Sequence, residues 1–467
     1  MTCSKISATQ FTDSVKKGQI NLEEFYIKLF SELTKLNQRY NFLITISESK
    51  PKKTGGMLSG LPVSVKDNIC TKGIQSTAGS RILEGYIPPF DATCIDRIRR
   101  DGGEIVGKTA QDEFGFGTFS TNCGFAVPKN PIDPARSCGG SSGGAAGLVK
   151  ALDMPHVAIA ESTGGSISCP ASFCGVTGLT PTYGLVSRYG LIDYANSLDK
   201  IGPIGKTVED VALMLSVIAG HDRMDSTSIS KKPENYLSYL KNADLKGIRI
   251  GIPKEYFGEG VDERISRKVM DSAERMQELG ATCSGCSLPA TKYSIPAYYI
   301  IATAEASTNL AKFCGMRYGR DEKIEGEFNE YFSKVRSMYF GEEAKRRILL
   351  GTFARMAGYR DQYYLKAMKV RTLIINDFKA AFKKFDVLVA PTMPITAPKF
   401  SDIKKMSPIE NYMMDVLTVA PNLAGIPMLS VPCGDVNGMP VGMHIMGDHL
   451  QEGKILAVGN AFEKELS

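Results

Sequence analysis

The sequence predicts an α/β protein in which a central mixed β-sheet is flanked by many α-helices. Three observations indicate this class. Strand-like runs alternate with a helical stretch between about residues 60 and 110, the second half of the chain is rich in helix, and further strand-like runs follow near the end. Because late strands usually return to a sheet already begun, we predict a single domain over residues 1-467.

The N-terminal region, about residues 1-58, is predicted to pack on this domain as one or two amphipathic helices. Apolar side chains recur there at helical spacing between residues 11 and 40. Beyond this region the strands are predicted from short runs rich in branched apolar residues. These runs are Leu61–Val65, Glu104–Lys108, Ile248–Ile252, Asp386–Ala390, Met428–Val431 and Val441–Ile445.

Helices are predicted from apolar positions that repeat with a period near 3.6 residues. They are expected at Thr93–Arg100, Val208–Ala219 and Glu263–Leu279, and a helix-rich segment follows over about residues 297-385. Between Ser137 and Gly190, glycine and serine recur in runs interrupted by the apolar segment Val157–Ala160. We therefore expect loops in that region that approach another group closely or adopt positive φ.

Composition limits the possible functions. With 467 residues, 43% of them hydrophobic and 23% charged, the chain can bury a large core. No run of 18 apolar residues predicts a membrane span, and the first ten residues lack the pattern of a secretion signal, so a cytoplasmic location is expected. The net charge of +6 is spread along the chain, which permits only weak contact with nucleic acid.

Cysteine and histidine usage argues against a disulfide framework and against a metal site. The eleven cysteines are scattered, and Cys283 and Cys286 form a single C-x-x-C without a second pair at zinc-finger spacing. The four histidines form no ligand cluster in the sequence. We therefore expect reduced thiols and no metal.

Two short motifs match known patterns in the wrong context. Gly102, Gly107, Lys108 and Thr109 satisfy the phosphate-loop pattern G-x-x-x-x-G-K-T, but a helical stretch precedes them and strand-like residues lie inside the supposed loop. A phosphate loop follows a strand and leads into a helix. We therefore predict that this segment forms a helix, a turn and a strand, and not a phosphate loop.

The segment Gly139–Gly143 satisfies G-x-S-x-G, the nucleophile elbow of serine hydrolases. This elbow needs a preceding strand, whereas the residues before Gly139 predict a poor one. Downstream His444 and His449 keep a Ser-His-Asp hydrolase as a weaker hypothesis.

A third set of residues combines Lys66, in V-S-V-K-D-N, with Ser141, in G-G-S-S-G-G, and Ser166, in S-T-G-G-S-I. A serine hydroxyl is a weak nucleophile until a base takes its proton, and a neutral lysine can serve as that base where no histidine does. Each residue alone has an ordinary interpretation, because a lysine after a strand is usually solvated and Gly-Ser runs are usually turns. The occurrence of all three residues in such patterns in one chain favours a catalytic role for them.

These segments, with P-A-S-F-C-G at 170–175 and G-L-T-P-T at 178–182, resemble the amidase signature family over nearly the whole chain. The resemblance implies the fold of that family, Ser166 as nucleophile, Lys66 as base and Ser141 as a bridge that relays the proton. The backbone amides of Thr163, Gly164 and Gly165 would hold the oxyanion. For lysine to be neutral near pH 7, the site has to be dry.

Within that family, the second half of the chain is similar to the A subunits of glutamine-dependent aminoacyl-tRNA amidotransferases. The matching segments are 296–302, 346–353, 369–374 and 415–418. This resemblance places Tyr298, Arg347 and Asp415 around glutamine, where an arginine would bind the α-carboxylate and an acid the α-ammonium group. Arg346 is the alternative to Arg347, and Asp415 is equally suited to capping a nearby helix.

The same resemblance implies partners and leaves alternatives. Partner subunits B and C are expected. The B subunit would bind ATP, Mg and most of the tRNA, and this chain would bind no cofactor. The activity would release ammonia for Glu-tRNA(Gln), Asp-tRNA(Asn) or both. A free-standing amidase for small amides and a catalytically silent scaffold are the other two hypotheses.

The chain departs from the usual family pattern at the nucleophile. Ser162 and Ser168 replace an acid and an arginine. If these two groups normally pair, losing both destabilises the protein less than losing either one, which would leave a buried charge without its partner. One extra residue separates Ser141 from Ser166, so Ser142 is an alternative bridge.

Overall fold

The computed structural model describes residues 6–48, 51, 53–241 and 244–466. The first five residues, on which part of the expectation about a secretion signal depends, lie outside these ranges. Within them, eleven strands form one mixed sheet. The strands are β1 (Leu43–Ile46), β2 (Pro62–Lys66), β3 (Glu104–Thr109), β4 (Val157–Ser162), β5 (Thr177–Thr180), β6 (Lys200–Gly205), β7 (Arg249–Pro253), β8 (Thr282–Cys286), β9 (Val387–Pro391), β10 (Met428–Val436) and β11 (Met439–Met446).

The described residues also form fifteen α-helices, which flank the sheet. They are α1 (Ala8–Lys16), α2 (Leu22–Tyr40), α3 (Thr93–Arg100), α4 (Gly143–Ala151), α5 (Ser168–Cys174), α6 (Val208–Ile218), α7 (Glu263–Glu278), α8 (Ser294–Asn309), α9 (Phe328–Tyr339), α10 (Glu342–Arg355), α11 (Lys366–Phe382), α12 (Phe400–Ile403), α13 (Pro408–Met413), α14 (Val419–Ala424) and α15 (Glu452–Glu465). Short 3-10 segments lie at Arg81–Leu83, Glu113–Gly115, Tyr236–Leu240, Lys254–Phe257, Pro289–Tyr293 and Leu310–Lys312, and a π-helical turn at Asp361–Leu365.

The strand order is β1-β3-β2-β4-β6-β5-β10-β11-β9-β7-β8. Strand β2 pairs in parallel with both β3 and β4, and β4 pairs antiparallel with β6. The early and late strands meet where β5 pairs antiparallel with β10. The prediction that the late strands return to the sheet begun near residue 61 is therefore confirmed.

The N-terminal helices pack on the sheet, as predicted. Their buried side chains include Phe11, Phe25, Leu29 and Leu33, which join the same apolar cluster as the side chains of the first strands. Asn21 accepts hydrogen bonds from the backbone amides of Glu23 and Glu24 and so caps α2. The predicted helices near residues 93, 208 and 263 and the helix-rich segment are also present.

The region Ser137–Gly190 differs from the prediction, because it contains α4, α5, β4 and β5 rather than mainly loops. Helix α4 includes three glycines, and α5 includes Pro170 near its start. Most residues of these elements are buried. Burial against neighbouring elements offsets the poor helix propensity of glycine, which local sequence patterns cannot reveal. Strands β1, β6 and β8 were not predicted either.

The phosphate-loop match is structural, as predicted. Gly107, Lys108 and Thr109 lie within strand β3. The buried Lys108 ammonium donates hydrogen bonds to the Ile69 carbonyl at 2.5 Å and to Ser76 Oγ at 2.7 Å. It therefore anchors the loop after β2 and is not available to a phosphate.

Two large apolar clusters meet beside β2 and β4. One contains Val65 and Ile159 with the N-terminal helices, and the other joins Phe116 and Tyr194 to the helix-rich segment. The polar residues of the candidate site lie where these clusters adjoin. No helix in the described ranges is both long and apolar enough to cross a membrane.

Candidate active site

Lys66 is the last residue of β2 and is fully buried, with a side-chain exposure of 0%. Its Nζ donates hydrogen bonds to Ser141 Oγ at 2.7 Å, to the Glu161 carbonyl at 2.9 Å and to Glu161 Oε2 at 2.9 Å. An ammonium group has three N–H bonds, so these contacts use all of them. The structure thus brings together two residues that are 75 positions apart in the sequence.

The loop before α4 places Ser141, rather than Ser142, against the lysine. The Gly140–Ser141 peptide bond is cis. A Cβ on Gly140 would lie 2.3 Å from Asp112 Oδ2, so only glycine fits there. Ser142 Oγ donates to the Glu161 carbonyl at 3.2 Å. Of the two serines considered as the bridge, Ser141 therefore has the required contact with the base.

Ser166 follows β4 and lies two residues before α5, with 7% of its surface exposed. Its hydroxyl makes no hydrogen bond to another described residue and remains available to a substrate. The backbone amides of Thr163, Gly164 and Gly165 likewise donate to no described residue. Three free amides directly before the proposed nucleophile fit an oxyanion hole.

Burial determines the electrostatics around Lys66. Removal from water lowers the pKa of Lys66 because it disfavours the ammonium form, and the Glu161 carboxylate opposes this shift. Burial also raises the pKa of Asp112 to about 7, although the Asp112 carboxylate accepts hydrogen bonds from the backbone amides of Asn122 and Ser120. Burial thus favours the neutral amine of Lys66, whereas the Glu161 carboxylate favours the ammonium form.

Sequence reasoning missed Glu161. Its Oε2 accepts hydrogen bonds from Lys66 and from Asn68 Nδ2 at 3.1 Å, and its Oε1 accepts one from Thr163 Oγ1 at 2.8 Å. The available signal was an acidic residue at the end of the apolar run Val157–Ala160, because a carboxylate inside a buried strand needs a partner.

Arg347 is 3% exposed and lies among four aromatic rings. It donates hydrogen bonds to Glu343 Oε1 at 2.8 Å and to Tyr194 Oη at 2.5 Å. Neighbouring Arg346 also contacts Glu343, but its side chain is 42% exposed. Of the two arginines considered, Arg347 is therefore the buried one. The rings lie 5.1–5.6 Å from its guanidinium carbon and belong to Phe116, Tyr194, Tyr299 and Tyr412.

Asp415 faces the same group of rings. Its carboxylate accepts hydrogen bonds from Tyr299 Oη at 2.7 Å and Thr118 Oγ1 at 3.0 Å, and burial raises its pKa. The residue at the N-cap of α14 is Thr418, so the helix-cap alternative for the Asp415 side chain is wrong. Tyr299 thus contacts both charged residues, because its hydroxyl donates to Asp415 and its ring lies 5.3 Å from the guanidinium carbon of Arg347.

Tyr298 lies beside the same aromatic rings, with its ring centroid 5.0 Å from that of Tyr299 and with Arg347 and Asp415 among the charges that act on its hydroxyl. It is buried with its ring against Gly164, where a Cβ would come within 2.5 Å of the ring. The next residue, Tyr299, is the one that contacts Asp415 and stacks on Tyr412 with ring centroids 4.1 Å apart. Tyr298 therefore contacts both the predicted oxyanion loop and Tyr299, and its role in binding glutamine stays a prediction. Sequence reasoning missed Tyr299, Tyr194, Tyr412 and Glu343.

A cavity of about 690 Å³ opens beside these residues. Its lining includes Thr118, Glu343, Arg347 and Tyr412, but not Ser166. The cavity therefore reaches the Arg347 side of the site. Among the described residues, no group of three or more His, Cys, Asp and Glu side chains could hold a metal ion.

The two serines that replace the usual acid and arginine are buried. Ser168 Oγ is 2.9 Å from His444 Nε2, while Ser162 Oγ has no hydrogen-bond partner among the described residues. The other downstream histidine, His449, contacts the Ala424 carbonyl through Nε2 at 3.0 Å. Neither histidine contacts Ser141, so the Ser-His-Asp hypothesis is wrong.

A buried lysine hydrogen-bonded to one serine, together with a second serine preceded by free backbone amides, fits a serine amide hydrolase with a lysine base. The family model of the amidases matches residues 43–456. The chain belongs to the amidase family, and the predicted fold of this family is confirmed.

The more particular resemblance is to one kind of amidase. A relative from Methanococcoides burtonii, the A subunit of glutamyl-tRNA(Gln) amidotransferase, is 50% identical over 413 residues, which cover 88% of this chain and 86% of the relative. The protein of the same name from Halothermothrix orenii is 45% identical over 464 residues, covering 98% and 96%.

Solved structures agree with this comparison. The crystal structure of the A subunit of glutamyl-tRNA(Gln) amidotransferase from Thermotoga maritima is 37% identical, with a TM-score of 0.81 and coverage of 96% of this chain and 95% of that one. A bacterial aryl acylamidase of the amidase signature family, at 24% identity and a TM-score of 0.84, shares the fold.

Proposed function

We propose that this chain is the glutaminase subunit of a tRNA-dependent amidotransferase and supplies ammonia for Glu-tRNA(Gln), Asp-tRNA(Asn) or both. The observation that carries the chemistry is the buried contact of 2.7 Å between Lys66 Nζ and Ser141 Oγ. The relatives that match nearly the whole chain at 45–50% identity support this choice among amidases.

In the proposed acylation, neutral Lys66 takes the proton of Ser141 as Ser141 takes that of Ser166. The Ser166 oxygen attacks the side-chain carboxamide carbon of glutamine. The backbone amides of Thr163, Gly164 and Gly165 stabilise the resulting oxyanion. The proton returns through Ser141 to the departing nitrogen, so ammonia leaves and a glutamyl ester forms on Ser166.

Deacylation reverses the same proton path. A water molecule gives a proton to Lys66 through Ser141 and attacks the ester carbon. The bond to the Ser166 oxygen then breaks, and the proton returns from Lys66 through Ser141 to that oxygen, which releases glutamate and restores both Ser166 and neutral Lys66. The ammonia passes to a partner. We propose that subunits B and C are those partners, that the B subunit binds ATP, Mg and most of the tRNA, and that this cytoplasmic chain itself uses no cofactor.

Glutamine recognition is assigned to Arg347 and Asp415. The hydrogen bonds of Arg347 use Nε and Nη1, and Nη2 donates to no residue in the described ranges. That nitrogen can bind the α-carboxylate, while the Asp415 carboxylate can bind the α-ammonium group. A simple aryl amide offers neither an α-carboxylate to Arg347 Nη2 nor an α-ammonium group to Asp415, so this pair favours an amino acid substrate.

Glutamate release from glutamine tests this function. The purified chain is assayed alone and together with subunits B and C, with Ser166→Ala as the control. We expect release that requires the partners and disappears in Ser166→Ala. Hydrolysis of other amides that depends on Ser166, without any glutamine turnover, would instead support a free-standing amidase. A complex that forms but hydrolyses no amide would support the silent scaffold.

The two adjacent tyrosines are expected to differ in their effect on glutamine binding. Tyr299→Phe removes the hydroxyl that donates to Asp415, and we expect KM for glutamine to rise by about tenfold because one hydrogen bond to a charged group is lost. Tyr298→Phe keeps the ring that packs against Gly164 and leaves the Tyr299 hydroxyl on Asp415, so we expect a smaller rise in KM. Initial rates of glutamate release measure both values, and the opposite order would show that the Tyr298 hydroxyl contributes more to glutamine binding than the Tyr299 hydroxyl.

A further inference from the structure

The proposed mechanism does not use the carboxylate of Glu161, although it is the nearest charge to the base. Lys66 Nζ and Glu161 Oε2 are 2.9 Å apart, and the two side chains are 0% and 1% exposed. A buried ion pair of this kind is costly to remove from water and persists only with additional hydrogen bonds. The other contacts of the Glu161 carboxylate therefore indicate its role.

The Glu161 carboxylate is held in one position. Asn68 Nδ2 donates to Oε2 at 3.1 Å, and Thr163 Oγ1 donates to Oε1 at 2.8 Å. The backbone carbonyl of Glu161 accepts a second hydrogen bond from Lys66, at 2.9 Å. The amine is thus bound twice by one residue of β4, which leaves its third N–H bond directed at Ser141.

Thr163 also connects Glu161 to a second buried acid. Its Oγ1 is 2.8 Å from Glu161 Oε1 and 2.8 Å from Asp199 Oδ1. A hydroxyl has a single proton to donate, so both contacts are hydrogen bonds only if one carboxyl group carries a proton. Burial raises the pKa of Asp199, whereas Glu161 faces an ammonium group. Of the two acids, only Glu161 lies within ion-pair distance of Lys66 Nζ, so Glu161 is the direct partner of the base.

We propose that Glu161 is a positioning residue for the base: it holds Lys66 against Ser141 and sets the pH at which the amine becomes neutral. This inference rests on the proposed role of Lys66 in acylation. The acids that face Lys66 are Glu161 on β4, Asp112 after β3 and Asp199 before β6. Of these three, only Glu161 contacts Nζ among the described residues.

The neutral amine is the reactive form, so acylation is expected to rise as pH increases through the pKa of Lys66. The Glu161 carboxylate favours the ammonium form. In Glu161→Gln the amine then loses its proton more easily, and the midpoint of the profile is expected to move down by about one to three pH units. Glu161→Asp keeps the charge but shortens the side chain, so the midpoint stays within about half a unit while the rate falls about tenfold or more.

The experiment measures the labelling rate of Ser166 by a fluorophosphonate across pH, with folding checked by circular dichroism. It needs neither glutamine nor a partner subunit. Glu452→Gln is the matched control, because Glu452 is also buried and accepts a hydrogen bond from Thr182 far from Lys66. We expect this control to keep the wild-type midpoint.

An unchanged midpoint in folded Glu161→Gln, or an equal shift in Glu452→Gln, would overturn the proposal for Glu161 alone. If Glu161→Gln does not fold, wild-type labelling by Glu161→Asp would overturn the positioning role. A wild-type protein labelled no faster than Ser166→Ala would overturn the proposed base and nucleophile as well. Failure of the proposal for Glu161 can therefore be distinguished from failure of the proposed base and nucleophile.

Discussion

Lys66→Met is expected to lower the rate of acyl-enzyme formation on Ser166 by about three orders of magnitude or more. The amine is the only group of the described residues that lies within hydrogen-bond distance of Ser141 Oγ and can accept its proton. Without that base, serine remains a weak nucleophile. Removing any one member of a catalytic unit that acts together abolishes almost all of the activity. Single-turnover measurement of glutamyl-enzyme formation checks this result.

The effect of Lys66→Met on the free energy of unfolding has to be separated from its effect on catalysis. Methionine leaves the Glu161 carboxylate buried without its cation, which costs about 3–5 kcal/mol. The double variant Lys66→Met/Glu161→Gln is expected to recover most of this free energy of unfolding and to remain inactive. Lys200→Met is the control, because Lys200 is also buried and its Nζ has no hydrogen-bond partner among the described residues. Near-normal turnover by folded Lys66→Met would remove lysine from the mechanism.

Arg347→Lys is expected to lower kcat/KM for glutamine by about two to three orders of magnitude, mainly through KM. Lysine keeps the charge but cannot bind Glu343, Tyr194 and a substrate carboxylate with one planar group. Weakening a buried, hydrogen-bonded charge contact costs about 2–5 kcal/mol, and each 1.4 kcal/mol is a factor of about ten. Glutamate release at varied glutamine concentration measures the change.

Two comparisons make the Arg347 result specific. Arg346→Lys alters the exposed neighbour and is expected to change KM by less than about twofold. Fluorophosphonate labelling of Ser166 requires no α-carboxylate, so Arg347→Lys should label at close to the wild-type rate. Equal effects of the two arginine variants on KM would contradict the assignment of Arg347 to glutamine, and loss of labelling would indicate damage to the fold.

Much of the fold was predictable because strands and helices have different periods. Branched apolar runs predicted β2, β3, β7, β9, β10 and β11, and helical spacing predicted α1, α2, α3, α6 and α7. The glycine-rich elements were not predictable in the same way. Helix α4 forms although glycine disfavours helices, because its buried residues pack closely against neighbouring elements.

The sequence by itself determined the class of this protein. Lys66, Ser141 and Ser166 are recognisable because each lies in a local pattern whose residue types suit one chemistry, and the order of these patterns along the chain is specific. The same patterns predicted the α/β fold and the dry environment that a lysine base requires. Their catalytic roles stay predictions until the variants are measured.

Only the tertiary structure decided which of several neighbouring residues meet. Adjacent residues on a helix point about 100° apart, so α8 turns Tyr298 toward Gly164 and Tyr299 toward Asp415. The choice of Arg347 over Arg346 has the same cause. The partner of Glu161 became identifiable only in the structure, where β4 lies beside β2, because a contact between residues 95 positions apart leaves no local pattern in the sequence.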